Sequence, residues 1–261
     1  MKNLSFLLLL ALCGANASQA QSAINAADII AAINRNEPVS YQNAVISGDL
    51  DLTELANKRP NDRSNWGGQG SYLSTVTVPV TFKNCTFLGN VIAYKNTVAS
   101  RNKEDGLLNM GNGGITSTAD FAESVTVENC TFQKEAAFKY STFSRKAVFT
   151  GNTFTDIALF KYARFSQTAD FSGSTFGGYA DFKYAKFNTM ADFRNARFTG
   201  SADFKYTKFD EKADFGQARF ARNADFKYAD LPEGTRFEAA EFNGPADFKY
   251  TTLGGRRFSP R

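Results

Sequence analysis

Large apolar residues recur from position 132 to position 253 at steps that alternate between six and five residues. Of these 23 centres, 21 are Phe, and Leu231 and Leu253 are the other two. A small residue, usually Ala, stands two positions before each centre. Neither a helical period of 3.6 residues nor simple strand alternation accounts for these steps. A coil of short flat sides and corners does, because alternation along each side turns the centre and the small residue inward together.

A longer period sets the size of the coil. The tripeptide Phe-Lys-Tyr recurs every 22 residues, which is the sum of four steps. This spacing predicts four sides per turn, with successive turns stacked about 4.8 Å apart as neighbouring strands. A three-sided coil with turns of the same length is the geometric alternative. The tripeptides begin at Phe138, Phe160, Phe182, Phe204, Phe226 and Phe248.

The motif Ala-Asp-Phe-Lys-Tyr resembles the pentapeptide repeat, Ala-(Asp/Asn)-Leu-x-x, strongly over residues 119–253 and weakly over 39–93. The resemblance implies an all-β solenoid, a right-handed quadrilateral parallel β-helix. This chain departs from the family pattern because Phe replaces the central Leu and every second side carries an extra residue, which is expected to widen alternate corners. The motif begins at Ala180, Ala202, Ala224 and Ala246.

Residues 1–20 have the pattern of a secretory signal, with a basic start, an apolar run over 4–12 and small residues after it. We predict cleavage after Ala20, with Ala17 as the alternative. A lipid anchor at Cys13 is disfavoured because a bulky leucine precedes it where lipoprotein signals carry a small residue. No later apolar run is long enough for a membrane span of about 20 residues. The sequence thus predicts an exported protein, periplasmic or secreted in a bacterium.

A short helix is predicted next, because Asn25 can cap it and Ile29, Ile30 and Ile33 form an apolar stripe. A solenoid needs such a cover over its open first turn. The predicted divisions are a signal at 1–20, a capping helix within 21–38, first turns at 39–118 with loop inserts at 56–74 and 94–117, regular β-helix at 119–255 and a tail at 256–261.

Two cysteines share the local pattern Asn-Cys-Thr-Phe and lie 45 residues apart, which is 22 plus 23. If the second insert adds 23 residues to one turn, Cys85 and Cys130 stack on consecutive turns within disulfide range. Two alternatives remain open at this stage. The residues form a bridge that closes the loop-bearing turn, or they are two free buried thiols in place of Ala.

The outer surface carries a row of Lys beside a row of Tyr, flanked by Asp. One interpretation is a solvated face whose charge rows balance each other. The other is a linear aromatic and cationic track that binds a glycan or another polyanion. The candidate ladder consists of Lys139, Tyr140, Lys161, Tyr162, Lys183, Tyr184, Lys205, Tyr206, Lys227, Tyr228, Lys249 and Tyr250.

Catalysis has little support in the sequence. The chain contains no His, the commonest general base and metal ligand, and it has no phosphate-binding loop or metal-spaced Cys cluster. We therefore predict no catalytic, cofactor-binding or metal-binding residues. Trp66, in a Gly-rich loop, is a candidate contact residue, with plain packing as the alternative. Asn152 stands at an inward position and is predicted to bond to the backbone.

These patterns predict a non-catalytic exported structural or interaction scaffold with an unidentified protein or polymer partner. A carbohydrate or polyanion binder that uses the ladder or the N-terminal loops is the alternative, and a polysaccharide-active enzyme is the third option. A formal net charge of +4 is too small and too spread out to argue for nucleic-acid binding, which is therefore not expected. The same basic balance argues against the acidic DNA mimics found among pentapeptide-repeat proteins. The last turn lacks an evident cap, which predicts an end-to-end homodimer.

Overall fold

A computed structural model describes residues 22–61, 70–98 and 114–258. Its short strands run mostly parallel and stack into four sheets, which form the four sides of a right-handed coil. Successive turns are in register at 22 residues, so that Phe143, Phe165 and Phe187 pair in one sheet. The prediction of a quadrilateral parallel β-helix is confirmed, and the three-sided alternative is wrong.

The sides are numbered in the order in which a regular turn visits them. Side 1 consists of Ser22–Asn25, Ala44–Ser47, Thr86–Phe87, Thr131–Phe132, Thr153–Phe154, Thr175–Phe176, Arg197–Phe198, Arg219–Phe220 and Glu241–Phe242. Side 2 consists of Leu50–Asp51, Val91–Ile92, Ala136–Ala137, Ala158–Leu159, Ala180–Asp181, Ala202–Asp203, Ala224–Asp225 and Ala246–Asp247. Side 3 consists of Arg59–Pro60, Ser71–Val76, Tyr94–Val98, Gly114–Phe121, Thr142–Phe143, Arg164–Phe165, Lys186–Phe187, Lys208–Phe209, Asp230–Leu231, Thr252–Leu253 and Arg256–Arg257. Side 4 consists of Val39–Gln42, Val80–Lys83, Val125–Glu128, Ala147–Val148, Ala169–Asp170, Met190–Asp192 and Lys212–Asp214.

The lumen is filled by stacked phenylalanine rings. Phe160 and Phe182, one turn apart, have ring centroids 5.0 Å apart and planes within 3° of parallel. Phe171, on the opposite side of the lumen, meets both of them edge to face at 5.1 and 5.3 Å. Aromatic pairs in these geometries contribute about 0.5–1.5 kcal/mol each beyond the area they bury. The small residues between the rings are buried as well, Ala158 and Ala180 among them, because only a short side chain fits beside each ring.

The corners after sides 2 and 4 are tight turns. After side 2, the Ser141 amide donates to the Phe138 carbonyl at 3.1 Å, and Tyr140 has a φ of +65°. Such a type II turn normally places Gly or Asn at this left-handed position. After side 4 the equivalent position follows that preference in most turns, with Gly151, Gly173 and Asn195. Tyr therefore occupies the left-handed position against its local preference.

The N-terminal helix, Ala26–Asn34, covers the open first turn. The Asn25 side chain caps it by accepting from the Ala27 amide at 2.9 Å, and Ile29 and Ile33 are buried in the core. Within the segment 21–38 assigned to the capping helix, a strand, Ser22–Asn25, precedes the helix and pairs with Ala44–Ser47 on side 1. A second, 3₁₀ helix spans Leu52–Glu54.

The C-terminal end carries a small hairpin. Arg256–Arg257, which the sequence assigned to a tail, pairs antiparallel with Thr252–Leu253 across two glycines of positive φ. The hairpin brings Phe258 onto the last turn, where its ring lies 5.3 Å from Phe248. Ala246 nevertheless remains exposed on this last turn. The cover at this end is therefore smaller than the helix at the other end.

Candidate functional site

The tyrosines of the repeat stack into one ladder along the corner between sides 2 and 3. Their ring centroids are 4.7 to 5.0 Å apart from one turn to the next. This tyrosine ladder presents ring edges and hydroxyls to solvent, because each inner ring has a neighbour on both of its faces. It consists of Tyr140, Tyr162, Tyr184, Tyr206, Tyr228 and Tyr250.

Tyr94 extends the tyrosine ladder toward the N-terminus and was missed in the sequence. Its ring lies 5.8 Å from Tyr140, and its hydroxyl accepts from the Lys139 ammonium at 3.2 Å. The 22-residue period could not reveal it, because an insert separates Tyr94 from the regular turns. The alternating steps of five and six residues do not identify Tyr94 as a member of the ladder either.

The lysines of the repeat lie beside the tyrosine ladder, where Lys205 and Lys227 contact carboxylates and the other four lie over tyrosine rings at 4.9 to 5.6 Å. Lys227 contacts Asp225 at 3.2 Å and Asp247 at 3.3 Å, and these contacts raise the pKa of Lys227. Lys205 lies 3.6 Å from Asp225. At Lys205 and Lys227, charges of opposite sign on neighbouring turns thus balance each other.

The recurrent Asp residues also have a local structural role. Asp181 accepts a hydrogen bond from the Lys183 amide at 3.0 Å, and Asp203 and Asp225 accept from the amides two residues on in the same way. An Asp at this position satisfies an amide that points out of the corner. Burial, with a further contribution from the neighbouring Asp203 charge, raises the pKa of Asp181.

A groove of about 950 Å³ runs along side 3 next to the tyrosine ladder. One edge is formed by the rings of four successive rungs, from Tyr140 to Tyr206. The N-terminal end is closed by Ser71–Val76 and Gly114–Phe121, two parallel strands much longer than those of the repeat. Because their extra residues continue past the corner, they form a ledge at the end of an otherwise flat side.

The groove floor is cationic. Arg164, Lys186 and Lys208 occupy the same outward position on consecutive rungs of side 3 and all line the groove. Asp210 lies 3.2 Å from Lys186 and 3.6 Å from Lys208, beside the floor. The one carboxylate among the lining residues is Asp120, which accepts from the Thr142 amide at 2.8 Å. The sequence did not single out these three cations, because the pairing of Ser71–Val76 with Gly114–Phe121 that forms the end of the groove is not encoded in the repeat period.

Cys85 and Cys130 stack on consecutive rungs of side 1, as the 45-residue spacing predicted. They are buried free thiols, and the Cys85 amide donates to the Cys130 sulfur at 3.2 Å. The contact with Cys85, together with burial, raises the pKa of Cys130. Residues in register on parallel strands have Cβ atoms about as far apart as the strands, about 4.8 Å, whereas a disulfide needs about 3.8 Å. The structure therefore favours the free-thiol alternative over the bridge.

Asn152 is buried in the lumen, and its predicted bonding to the backbone is confirmed. Its amide nitrogen donates to the Val127 carbonyl at 2.8 Å, and its oxygen accepts from the Cys130 amide at 2.7 Å. Trp66, the candidate loop contact, lies outside the described residues, as does the predicted signal. Within the described ranges, His, Cys, Asp and Glu form no group of three that could hold a metal ion. No helix in those ranges is long and apolar enough to cross a membrane.

Comparison with known proteins identifies one family. Residues 138–186, 182–230 and 204–252 match the family model described as pentapeptide repeats in nine copies. The matched segments lie in the regular turns and include most of the tyrosine ladder and the three floor cations. No curated protein and no solved structure is significantly similar to this chain.

Proposed function

The chain is a pentapeptide-repeat protein, and from this premise we propose that it is an exported, non-catalytic scaffold that binds an elongated polymer along side 3. The observation that carries the proposal is the groove, which is open along the solenoid axis and bounded by a ledge at one end. A groove with a tyrosine on each of four successive rungs and a cation on three of them suits a ligand that is itself extended and periodic.

The periodicity of the groove lining supports binding rather than catalysis. Its tyrosines and cations recur with the 22-residue period, whereas a catalytic centre needs unlike groups that converge on one point. The absence of His from the sequence points in the same direction. If the protein were a polysaccharide-active enzyme, incubation with a bound glycan would release new reducing ends. We expect no such release.

Export is supported by the composition of residues 1–20. Expression of the full chain in a bacterial host, followed by mass spectrometry of the extracytoplasmic fraction, tests this part of the proposal. We expect a mature chain that begins at Gln21, or at Ser18 if cleavage follows Ala17. A full-length chain retained in the cytoplasm would contradict export.

Polymer binding is tested by screening the purified mature chain against neutral and acidic glycans, peptidoglycan and nucleic acids at low and high salt. We expect at least one extended polymer to bind. The second variable, salt, separates charge-dependent binding from other binding, because salt screens exposed charges. If none of the polymers in the screen bound, the binding proposal would be contradicted.

A further inference from the structure

We propose that the polymer bound in the side 3 groove is an acidic polysaccharide whose strand runs parallel to the solenoid axis. This inference rests on the proposed function and specifies its ligand. It uses side chains that differ from the Lys row of the repeat, because none of those lysines lines the groove.

The charge of the groove selects an anionic ligand. Arg164, Lys186 and Lys208 stack in register on its floor, about 4.8 Å apart per rung, and like charges at this spacing repel one another. Asp210, 3.2 Å from Lys186 and 3.6 Å from Lys208, relieves part of that repulsion, and an anionic ligand relieves the rest. The tyrosine rings add to this preference, because the edge of an aromatic ring carries the positive part of its quadrupole. Asp120 supplies the one opposing charge of the lining, at the N-terminal end.

The stacking of the tyrosines argues against a nucleic acid. Proteins that bind single-stranded nucleic acids stack bases on open aromatic faces. In this groove the faces of Tyr162, Tyr184 and Tyr206 are covered by neighbouring rings at 4.7 to 5.0 Å. No base can enter between rings at that spacing. What the rings offer is a row of hydroxyls, one on each rung.

The polar lining suits a sugar polymer. Ser166 and Asn188 lie on the groove beside the floor cations, and Thr116 and Thr118 lie on the ledge. Hydroxyl and amide groups can donate to and accept from the hydroxyls of a sugar. A polyuronate carries one carboxylate per sugar, so each of the three rungs with a floor cation can pair that cation and one phenol with one sugar unit. The rungs of side 3 and the sugar units of a polyuronate thus repeat in the same direction, along the solenoid axis.

The test compares polygalacturonate with its fully methyl-esterified form, which has the same backbone without the charges. We expect the mature protein to bind polygalacturonate, to bind the ester at least about tenfold more weakly, and to lose affinity with rising salt. Equal binding of the two polymers would overturn the inference. Tighter binding of single-stranded polythymidine would overturn it in favour of a nucleic acid.

Variants place the ligand on side 3. Combining Arg164→Gln, Lys186→Gln and Lys208→Gln should weaken polygalacturonate binding at least about tenfold. The matched control combines Arg197→Gln, Arg219→Gln and Arg222→Gln, which removes equal charge from side 1 and the corner after it. We expect the control to bind like the parent chain. Equal losses in both variants would overturn the site and leave only a general charge effect.

A third variant tests the tyrosine hydroxyls. Combining Tyr162→Phe, Tyr184→Phe and Tyr206→Phe keeps the ring stack, so we expect an unchanged unfolding midpoint with weaker polygalacturonate binding. Unchanged affinity would refute a role for the ring edges. The outcomes also separate this inference from the broader proposal. Binding of neutral glycans alone would refute the inference and keep the proposed function, whereas binding of no polymer would refute both.

Discussion

At the scale of single residues, each tyrosine of the ladder combines an unfavourable backbone conformation with favourable stacking of its ring on the neighbouring rings. Tyr184 has a φ of +59°, a left-handed conformation that costs a non-Gly residue about 1–2 kcal/mol. Its ring stacks on Tyr162 at 4.7 Å and on Tyr206 at 4.8 Å. We infer that stacking on both faces offsets the backbone cost. The same cost at Ala239, which has a φ of +53° in a corner after side 4, has no ring to offset it.

Replacing Tyr184 tests this balance. Tyr184→Ala removes the stack and keeps the strain, so we expect a loss of about 1–2 kcal/mol in the free energy of unfolding. Tyr184→Gly relieves the strain and should recover about half of that loss, while the control Tyr184→Phe should stay within about 0.5 kcal/mol of the parent chain. Urea unfolding of the three variants measures these values. An Ala variant as stable as the parent would contradict a stabilising stack.

The buried carboxylate of Asp181 predicts a dependence of stability on pH. Burial raises its pKa in the folded state, so the charged form opposes folding. The contribution of neutral Asp181 to stability is fully present below the pKa of the unfolded state and is lost as pH rises through the pKa of the folded state. Asn at this position keeps an oxygen that can accept from the Lys183 amide. We therefore expect Asp181→Asn to be more stable than the parent chain at pH 7.

Urea unfolding at neutral and acid pH measures the difference between Asp181→Asn and the parent chain. We expect the difference to disappear at acid pH, where Asp181 is neutral in both states. Asp247→Asn is the matched control on the last turn, because hydrogen bonding to the Lys249 amide lowers the pKa of Asp247. That contribution is present above the unfolded pKa and is lost as pH falls through the folded pKa, so the control should show the opposite sign. The same sign in both variants would rule out this explanation.

At the scale of elements, the N-terminal helix closes the lumen and the long strands form the end of the groove, neither of which the repeat itself provides. The repeat alone leaves an open lumen at its first turn, and Ile29 and Ile33 close it. The strands Ser71–Val76 and Gly114–Phe121 pair over six residues, whereas regular strands are two or three residues long. The helix contributes stability, and the long strands contribute the ledge that shapes the groove.

The helix makes a direct prediction about stability. Ile29→Ala removes a fully buried side chain from above the lumen, so we expect a loss of about 2–5 kcal/mol in the free energy of unfolding. Ile30→Ala is the control from the same helix, because Ile30 is only partly buried. Its loss should be clearly smaller. Equal losses measured by thermal or urea unfolding would show that the helix does not seal the lumen.

The repeat could be predicted from the sequence and the groove could not, for a physical reason. Every inward Phe obeys the same steric constraint on every turn, so its position recurs and can be counted. The ledge depends on pairing between Ser71–Val76 and Gly114–Phe121, which an insert separates in the chain, and no period encodes that register. The tyrosine ladder was identified from its recurrence, but that its faces are covered follows only from the ring geometry.

At the scale of the whole molecule, the two ends of the solenoid differ. The N-terminal end is covered by a nine-residue helix, and the C-terminal end by a hairpin and the ring of Phe258. Phe242 and Leu253 are only partly buried on the last turn, and Ala246 is exposed. Exposed strand edges with apolar side chains favour pairing with another chain. We therefore retain end-to-end association of two copies through the C-terminal ends as a proposal.

Light scattering over a range of protein concentrations tests this association. We expect a dimer that forms as the concentration rises. A charge placed in the contact, Ala246→Glu, should shift the chain to monomer without affecting polygalacturonate binding, because the groove lies on side 3. A parent chain that remains monomeric at the highest concentration would contradict the homodimer.

The central claim is that the side 3 groove is where this solenoid binds its ligand. A crystal structure of the mature protein with a galacturonate oligosaccharide tests it most directly. We predict sugar density along side 3, with carboxylates near Arg164, Lys186 and Lys208 and sugar hydroxyls near the tyrosine ladder. An oligosaccharide bound on side 1, at either end, or stacked on a tyrosine face would contradict the claim.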